Sequence, residues 1–286
     1  MMSKDIYVVI EHIRGEIADI SYIMLAGARE LADATGGEVV ALLLGSKIEN
    51  LAEDLAADKV LYIDHDQFAN FTSDSYWQAL AKVIEESISR AVIFGHTSIG
   101  MEVANLLSAK IGLPLVSSCL TFSGDDGAVK FTSQLYGGKI LAEGFIPEPT
   151  ALITMVPGGY KSEDGQSPSP PPVTTGETPQ FEDLKITVNQ YIEPETGDVD
   201  ISTEPLLVAV GRGIQLEDNI ELAEELAEAI GGVVCASRPV VDQGWLPISR
   251  LVGKSGYQVK PKVYLALGIS GAPEHTEGMS GSDVII

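Results

Sequence analysis

The chain has 286 residues, 45% hydrophobic and 21% charged, enough to bury one large or two ordinary cores without disulfide support. Its 41 acids against 18 bases give a net charge of −23, which excludes a nucleic-acid footprint, since phosphates require a basic one. That acidity suits either solubility and salt adaptation or the steering of basic partners.

Asp5–Ile10 reads as a strand, too short and too acid-flanked for a secretory leader or a membrane span. With no membrane insertion anywhere, the expectation is a soluble, cytoplasmic chain. Ala18–Ala34 is an Ala- and Leu-rich helix, Glu38–Leu44 a strand, Ile48–Ala56 a short helix and Lys59–Ile63 a strand. Ser75–Ser87 is a helix and Ala91–Phe94 a strand. Continuous apolar strands separated by helices predict a doubly wound parallel sheet covered on both faces. The turn Phe94–Gly100, before a helix over Met101–Ala109, reads either as a phosphate cradle or as an ordinary capped turn with Thr97 or Ser98 at the N-cap. No Lys follows and no GxGxxG is present, which favours the capped turn.

After Pro114 the pattern changes. Leu115–Phe122, Val129–Tyr136, Lys139–Phe145 and Ala151–Val156 predict a β-meander, with turns at Gly124–Gly127 (including Asp125 and Asp126) and Gly137-Gly138. Residues 161–180, rich in Pro, Ser and Gly, read as a flexible or extended loop, and Lys185–Tyr191 as the domain's last strand. The expected division is an α/β domain over 1–192, an acidic linker over 193–204, and a second α/β domain over 205–286.

In that second domain Leu206–Val210 is a strand ending in Gly211-Arg212-Gly213. Asp218–Ile230 is a helix with Leu222, Leu226 and Ile230 spaced to face a core, stopped by Gly231-Gly232. Val233–Ala236 runs into Ser237-Arg238-Pro239, and Lys262–Leu267 into Gly268-Ile269-Ser270-Gly271. Asp283–Ile286 begins a further strand, so the domain reads as incomplete. Cys119 and Cys235 sit in apolar runs and read as buried free thiols, with no zinc spacing among Cys and His. Trp77 and Trp245 read as packing residues.

Open α/β sheets bind ligands beyond the carboxyl ends of their strands. The loops at 211–213, 237–238 and 268–271 supply glycines for close backbone approach and hydroxyls suited to a pyrophosphate, so a dinucleotide-sized site is expected there. They offer Arg, Ser and Gly rather than a paired acid and base. A nucleotide-dependent α/β enzyme would call for such a pair.

The stretch GRGI…ELAEELAEAIGGVVCASRPVVDQGWLP…LVGKSGYQVKPKVYLALGISGAPEHTEGM, from Gly211 to Met279, resembles the FAD domain of electron-transfer flavoprotein alpha subunits. The N-terminal half is similar more loosely, through RAVIFGHTSIGMEVANLLSAKIGLPLVSSC and FTSQLYGGK. The resemblance implies a Rossmann-like C-terminal domain holding FAD and an N-terminal domain packing against a beta subunit. It also implies a heterodimer that accepts electrons from flavin dehydrogenases, such as the acyl-CoA dehydrogenases of fatty acid beta-oxidation. The acceptor would be a quinone oxidoreductase or a ferredoxin-type protein, and the chain a carrier rather than an enzyme.

By the same resemblance, Arg212 lies near the FAD phosphates, Ser237 helps bind the cofactor, and Arg238 sets its guanidinium against the isoalloxazine. Ser255, within Val252-Gly253-Lys254-Ser255, stands where the family usually has Thr bonded to flavin N5. Ser270, Gly271, Ala272, Pro273, Glu274 and His275 form the loop beneath the pyrophosphate and flavin, with His275 near the pyrimidine carbonyl. A fixed positive charge in a dry site favours the reduced, anionic ring. The sequence departs from the family at Glu274, usually Gln. Lys254 and Tyr257 replace the Gln and Lys of the GQTGK motif, so Lys254 is a candidate to balance Glu274. Lys139 and Met155 replace a common Asn and Arg, which implies altered beta-subunit contacts.

Overall fold

The computed structural model describes residues 4–87, 89–125, 128–177, 180–191 and 199–286. The chain divides into two compact units, Met1–Gln190 and Tyr191–Ile286. Strands of the first unit are β1 (Ile6–Val9), the small hairpin β2 (His12–Ile13) and β3 (Glu16–Ile17), β4 (Val39–Gly45), β5 (Lys59–Asp64) and β6 (Ala91–Gly95). They continue with β7 (Leu115–Asp125), β8 (Ala128–Leu135), β9 (Ile140–Phe145), β10 (Ala151–Met155) and β11 (Val173–Thr175). Its helices are α1 (Asp19–Thr35), α2 (Ser73–Ser87) and α3 (Ser98–Ile111).

All but the hairpin strands join one sheet of order β11-β5-β4-β1-β6-β10-β7-β8-β9. Pairing is parallel from β11 through β7 and antiparallel from β7 to β9. Alternate residues of β1 feed opposite cores: Ile6 and Val8 pack with α1, while Tyr7 and Val9 pack with α2 and α3. Both faces are covered, so the strands are apolar throughout, as a doubly wound sheet requires. At the end of β6, Thr97 Oγ1 accepts from the Gly100 N–H at 3.0 Å and donates to the Glu11 carboxylate at 2.8 Å. The Phe94–Gly100 turn is therefore a capped strand-to-helix turn.

Several local expectations need correction. The fourth strand of the predicted meander, β10, leaves it and inserts between β6 and β7 in parallel with both. Five buried residues in a row, Ala151–Met155, suit a sheet centre better than an edge. Val173–Thr175, assigned to a loop, pairs with β5 as the edge strand. Residues 185–191, expected as a strand, form none. The segment is tied to α2 instead, through Lys185 N–H to Asp74 at 2.8 Å and Glu182 to Gln78 at 2.9 Å. Ile48–Ala56 holds only a 3-10 turn over Glu49–Ala52. Met155, placed among partner contacts, is a fully buried core residue, whereas Lys139 is exposed. The expected turn at Asp126 and Gly127, and the part of the linker at 193–198, lie outside the described residues. Ile201, inside that linker, is a fully buried member of the second core.

The second unit holds a parallel sheet of β12 (Leu206–Val210), β13 (Val233–Ala236), β14 (Val263–Leu267) and β15 (Val284–Ile285), in the order β13-β12-β14-β15. Its helices are α4 (Asn219–Ile230), α5 (Arg238–Asp242) and α6 (Pro273–Thr276). Leu207 and Ala209 face one core, Val208 and Val210 the other. The buried stripe of α4 is Ile220, Ala223 and Ala227, not the expected leucines: Leu222 is 62% exposed and Leu226 37%. Small residues let the helix lie close to the sheet, and that closeness sets its rotation.

Candidate functional site

Strands β12, β13 and β14 run parallel as neighbours, so their carboxyl ends open on the same edge. From that edge come the turn at Gly211, the start of α5 at Ser237, and the loop from Gly268 to α6. The 251–257 segment is hung from the same edge by the Val252 N–H, which donates to Ala236 O at 2.9 Å. The glycines serve first to let these loops touch one another. Gly213 N–H donates to Gly268 O at 2.9 Å, and a Cβ on Gly268 would lie 2.7 Å from the Gly213 carbonyl carbon. The anticipated approach of glycine backbone to a ligand is, at this pair, an approach of two loops.

Between the loops is a cavity of about 610 Å³, within the usual range for a small-molecule or cofactor site. Of the expected residues, it brings together Arg212, Ser237, Arg238, Val252, Gly253, Ser255, Ser270, Ala272, Glu274 and His275. Lys254, Gly271 and Pro273 are not on its wall. Pro239 and Ile269, which the sequence reading gave no role, are. Their signal was available in the chain, since each lies next to a predicted residue on a strand-end loop.

The polar groups are arranged as donors. Ser237 sits at the N-cap of α5, only 6% exposed, and its hydroxyl makes no capping bond. Arg238 reaches across to Ser255, its Nη1 donating to Oγ at 3.0 Å, while Nε lies 3.4 Å from Asp242. Arg212 lines the wall with no ion pair among the described residues. Lys254 does not balance Glu274 as expected: its ammonium lies 3.8 Å from Glu277, and only its backbone N–H meets Glu274, at the carbonyl oxygen, 2.7 Å away. Glu274 is exposed at the cavity rim, where water screens its charge.

His275 is tied into the protein on both sides of its ring. It is 6% exposed, with Nε2 2.9 Å from the Tyr264 hydroxyl and Nδ1 3.0 Å from Val252 O. Burial pushes its pKa below the ordinary histidine value, partly offset by the Val252 carbonyl. Both ring nitrogens meet protein atoms, and the imidazole forms part of the cavity wall.

Two family models match the chain in tandem. One, described as electron transfer flavoprotein domain, covers residues 6–187, and the other, electron transfer flavoprotein FAD-binding domain, covers residues 200–280. The chain belongs to the electron-transfer flavoprotein alpha-subunit family. The electron transfer flavoprotein subunit alpha of Bacillus subtilis is 30% identical over 288 residues, covering 100% of this chain and 88% of that protein. Protein FixB of Clostridium saccharobutylicum is 34% identical over 291 residues, with 99% and 86% covered. The acryloyl-CoA reductase electron transfer subunit beta of Anaerotignum propionicum is 33% identical over 317 residues, again with 99% and 86% covered. In this alpha-type subunit the cavity lies in the region matched by the FAD-binding model. Among the described residues no cluster suits a metal ion, and no helix is long and apolar enough to cross a membrane.

Proposed function

We propose that the second unit holds FAD and that the chain carries electrons as one half of a heterodimer with a beta subunit. The supporting observation is the donor set at the strand ends: two guanidiniums and three hydroxyls around one cavity, with Arg238 braced by Ser255. Such a set fits a pyrophosphate and a ring that gains negative charge on reduction. FAD, when bound, supplies the one-electron chemistry. In this reading Arg212 and Ser237 bind phosphate, while Arg238 sets positive charge beside the isoalloxazine. Ser255 accepts from Arg238 and keeps its own proton to donate to flavin N5. Val252 and Ile269 exclude water from the ring, and the backbone at Gly253, Ser270 and Ala272 shapes the floor.

Electrons would arrive from a flavin dehydrogenase and leave to a quinone- or ferredoxin-linked acceptor, in the cytoplasm. The beta subunit would pack on the first unit. Support for that surface comes from the β8–β9 extension, where Leu135, Tyr136, Ile140, Leu141 and Phe145 are 42–78% exposed on an antiparallel ribbon at the sheet's end. Co-expression with the beta subunit and a visible spectrum of the purified complex test the reading. Flavin absorbance with one-electron reducibility is expected. A colourless complex that ignores added FAD would leave a structural subunit, the role that Glu274 on the rim would favour.

A further inference from the structure

Behind the cavity wall runs a line of buried polar side chains that the proposed cofactor contacts leave unused. Cys235 on β13 directs its thiol at the Tyr264 hydroxyl on β14, with sulfur and oxygen 3.8 Å apart. That hydroxyl is 2.9 Å from His275 Nε2, and His275 Nδ1 is 3.0 Å from the Val252 carbonyl oxygen. Tyr264 and Cys235 are fully buried and His275 is nearly so.

The position of every proton follows from the far end of this line. A carbonyl oxygen only accepts, so Nδ1 must carry hydrogen. A neutral imidazole then presents a lone pair at Nε2, and Tyr264 must donate to it. The phenol oxygen is left to accept from the Cys235 thiol. All the bonds run in one direction. The opposite tautomer would face two lone pairs across 3.0 Å at Val252 O. An imidazolium would turn the Tyr264 proton toward sulfur, a weak acceptor, inside a dry core.

We propose that Tyr264 is a positioning residue: by donating to Nε2 it holds His275 neutral in the Nδ1–H tautomer that the Val252 carbonyl selects. Through that imidazole it ties together β14, α6 and the 251–257 segment that carries Ser255. The wall facing the ligand is thereby held uncharged at this point, and the positive field in the cavity comes from the arginines. Burial supports the assignment, because it opposes a charge on His275. Only the effect on cofactor affinity rests on the FAD reading; the tautomer does not.

The test uses the full chain labelled with 15N-histidine. Long-range 1H–15N spectra are recorded from mildly acidic to mildly basic pH, with His275 assigned through the spectrum of His275→Gln. The expected result is a protonated Nδ1 and an unprotonated Nε2 that persist through the ordinary histidine titration range. An Nε2–H tautomer, or an imidazolium at neutral pH, overturns the proposal. Tyr264→Phe removes the donor to Nε2, so His275 should titrate at higher pH than in the parent chain. FAD should bind about tenfold more weakly, the scale of one lost hydrogen bond. A Tyr264→Phe protein with unchanged imidazole signals, titration and FAD affinity also overturns it. Should that variant fail to fold, the parent spectrum still decides, since it needs no substitution there. If the parent chain binds no FAD with its beta subunit, the cofactor reading fails while the imidazole spectra judge Tyr264 independently.

Discussion

Arg238 and Ser255 meet at 3.0 Å, guanidinium Nη1 to hydroxyl Oγ, although they lie on separate elements and are 17 positions apart in sequence. The contact joins the first residue of α5 to the segment hung from the end of β13. It holds a side chain that is 62% exposed in a defined direction. Arg238→Ala removes both the charge and the brace. FAD affinity should fall about tenfold to a hundredfold, the scale of a lost charge-assisted hydrogen bond. Arg238→Lys should restore only part of it, because an ammonium lacks the planar fork. Fluorescence titration with FAD checks both, and equal affinity in all three proteins would remove Arg238 from the site.

Gly253 has φ +141°, and a Cβ there would lie 2.6 Å from Glu274 O. Gly253→Ala should therefore push the 251–257 segment away from α6. A stability loss of about 1–3 kcal/mol is expected, measured by denaturant unfolding, together with weaker FAD binding. An undisturbed variant would mean that the two segments do not need this contact.

Glu11 is a buried carboxyl whose pKa is raised to about 7 by desolvation, against the opposing hydrogen bonds from Thr97 and Gly95. Below the ordinary pKa of about 4.5 it is protonated in both folded and unfolded chains. Between there and about 7 the folded chain keeps a proton that the unfolded chain has released, so this group's contribution to stability falls as pH rises. Above about 7 both forms are ionised, and the full cost, about 3 kcal/mol, is constant. Glu11→Gln should flatten this slope, seen as a smaller drop in melting temperature between mildly acidic and neutral pH. An identical pH profile would argue that the carboxyl is not desolvated.

Leu141 and Phe145 lie on one face of β9 and are 57% and 63% exposed. Replacing both by Ala should leave the stability of the isolated chain within about 0.5 kcal/mol for each. If the ribbon meets the beta subunit, association should weaken tenfold or more, as when interface anchors are truncated. Calorimetric titration with the beta subunit checks this, and unaltered affinity would move the interface elsewhere.

Much is legible in the sequence alone. Apolar runs separated by helical periods define β1, β4, β5 and β6, since strands buried on both faces have no polar alternation to misread. The loops after β12, β13 and β14 mark the cavity because parallel strands must deliver their carboxyl ends to the same edge. Other features were hidden for physical reasons. The departure of β10 from the meander is a matter of strand order, which local pattern does not encode. The rotation of α4 turned on Ala223 and Ala227, whose small size permits close packing that a search for large apolar residues overlooks.

The sequence by itself determined the α/β class through its apolar periodicity, and the family and the site's loops through its motifs, because both are properties of neighbouring residues. Only the tertiary structure decided which atoms His275 meets. Its partners Tyr264 and Val252 are 11 and 23 positions away, and a ring nitrogen's role is set by the atom it faces, not by the motif that contains it.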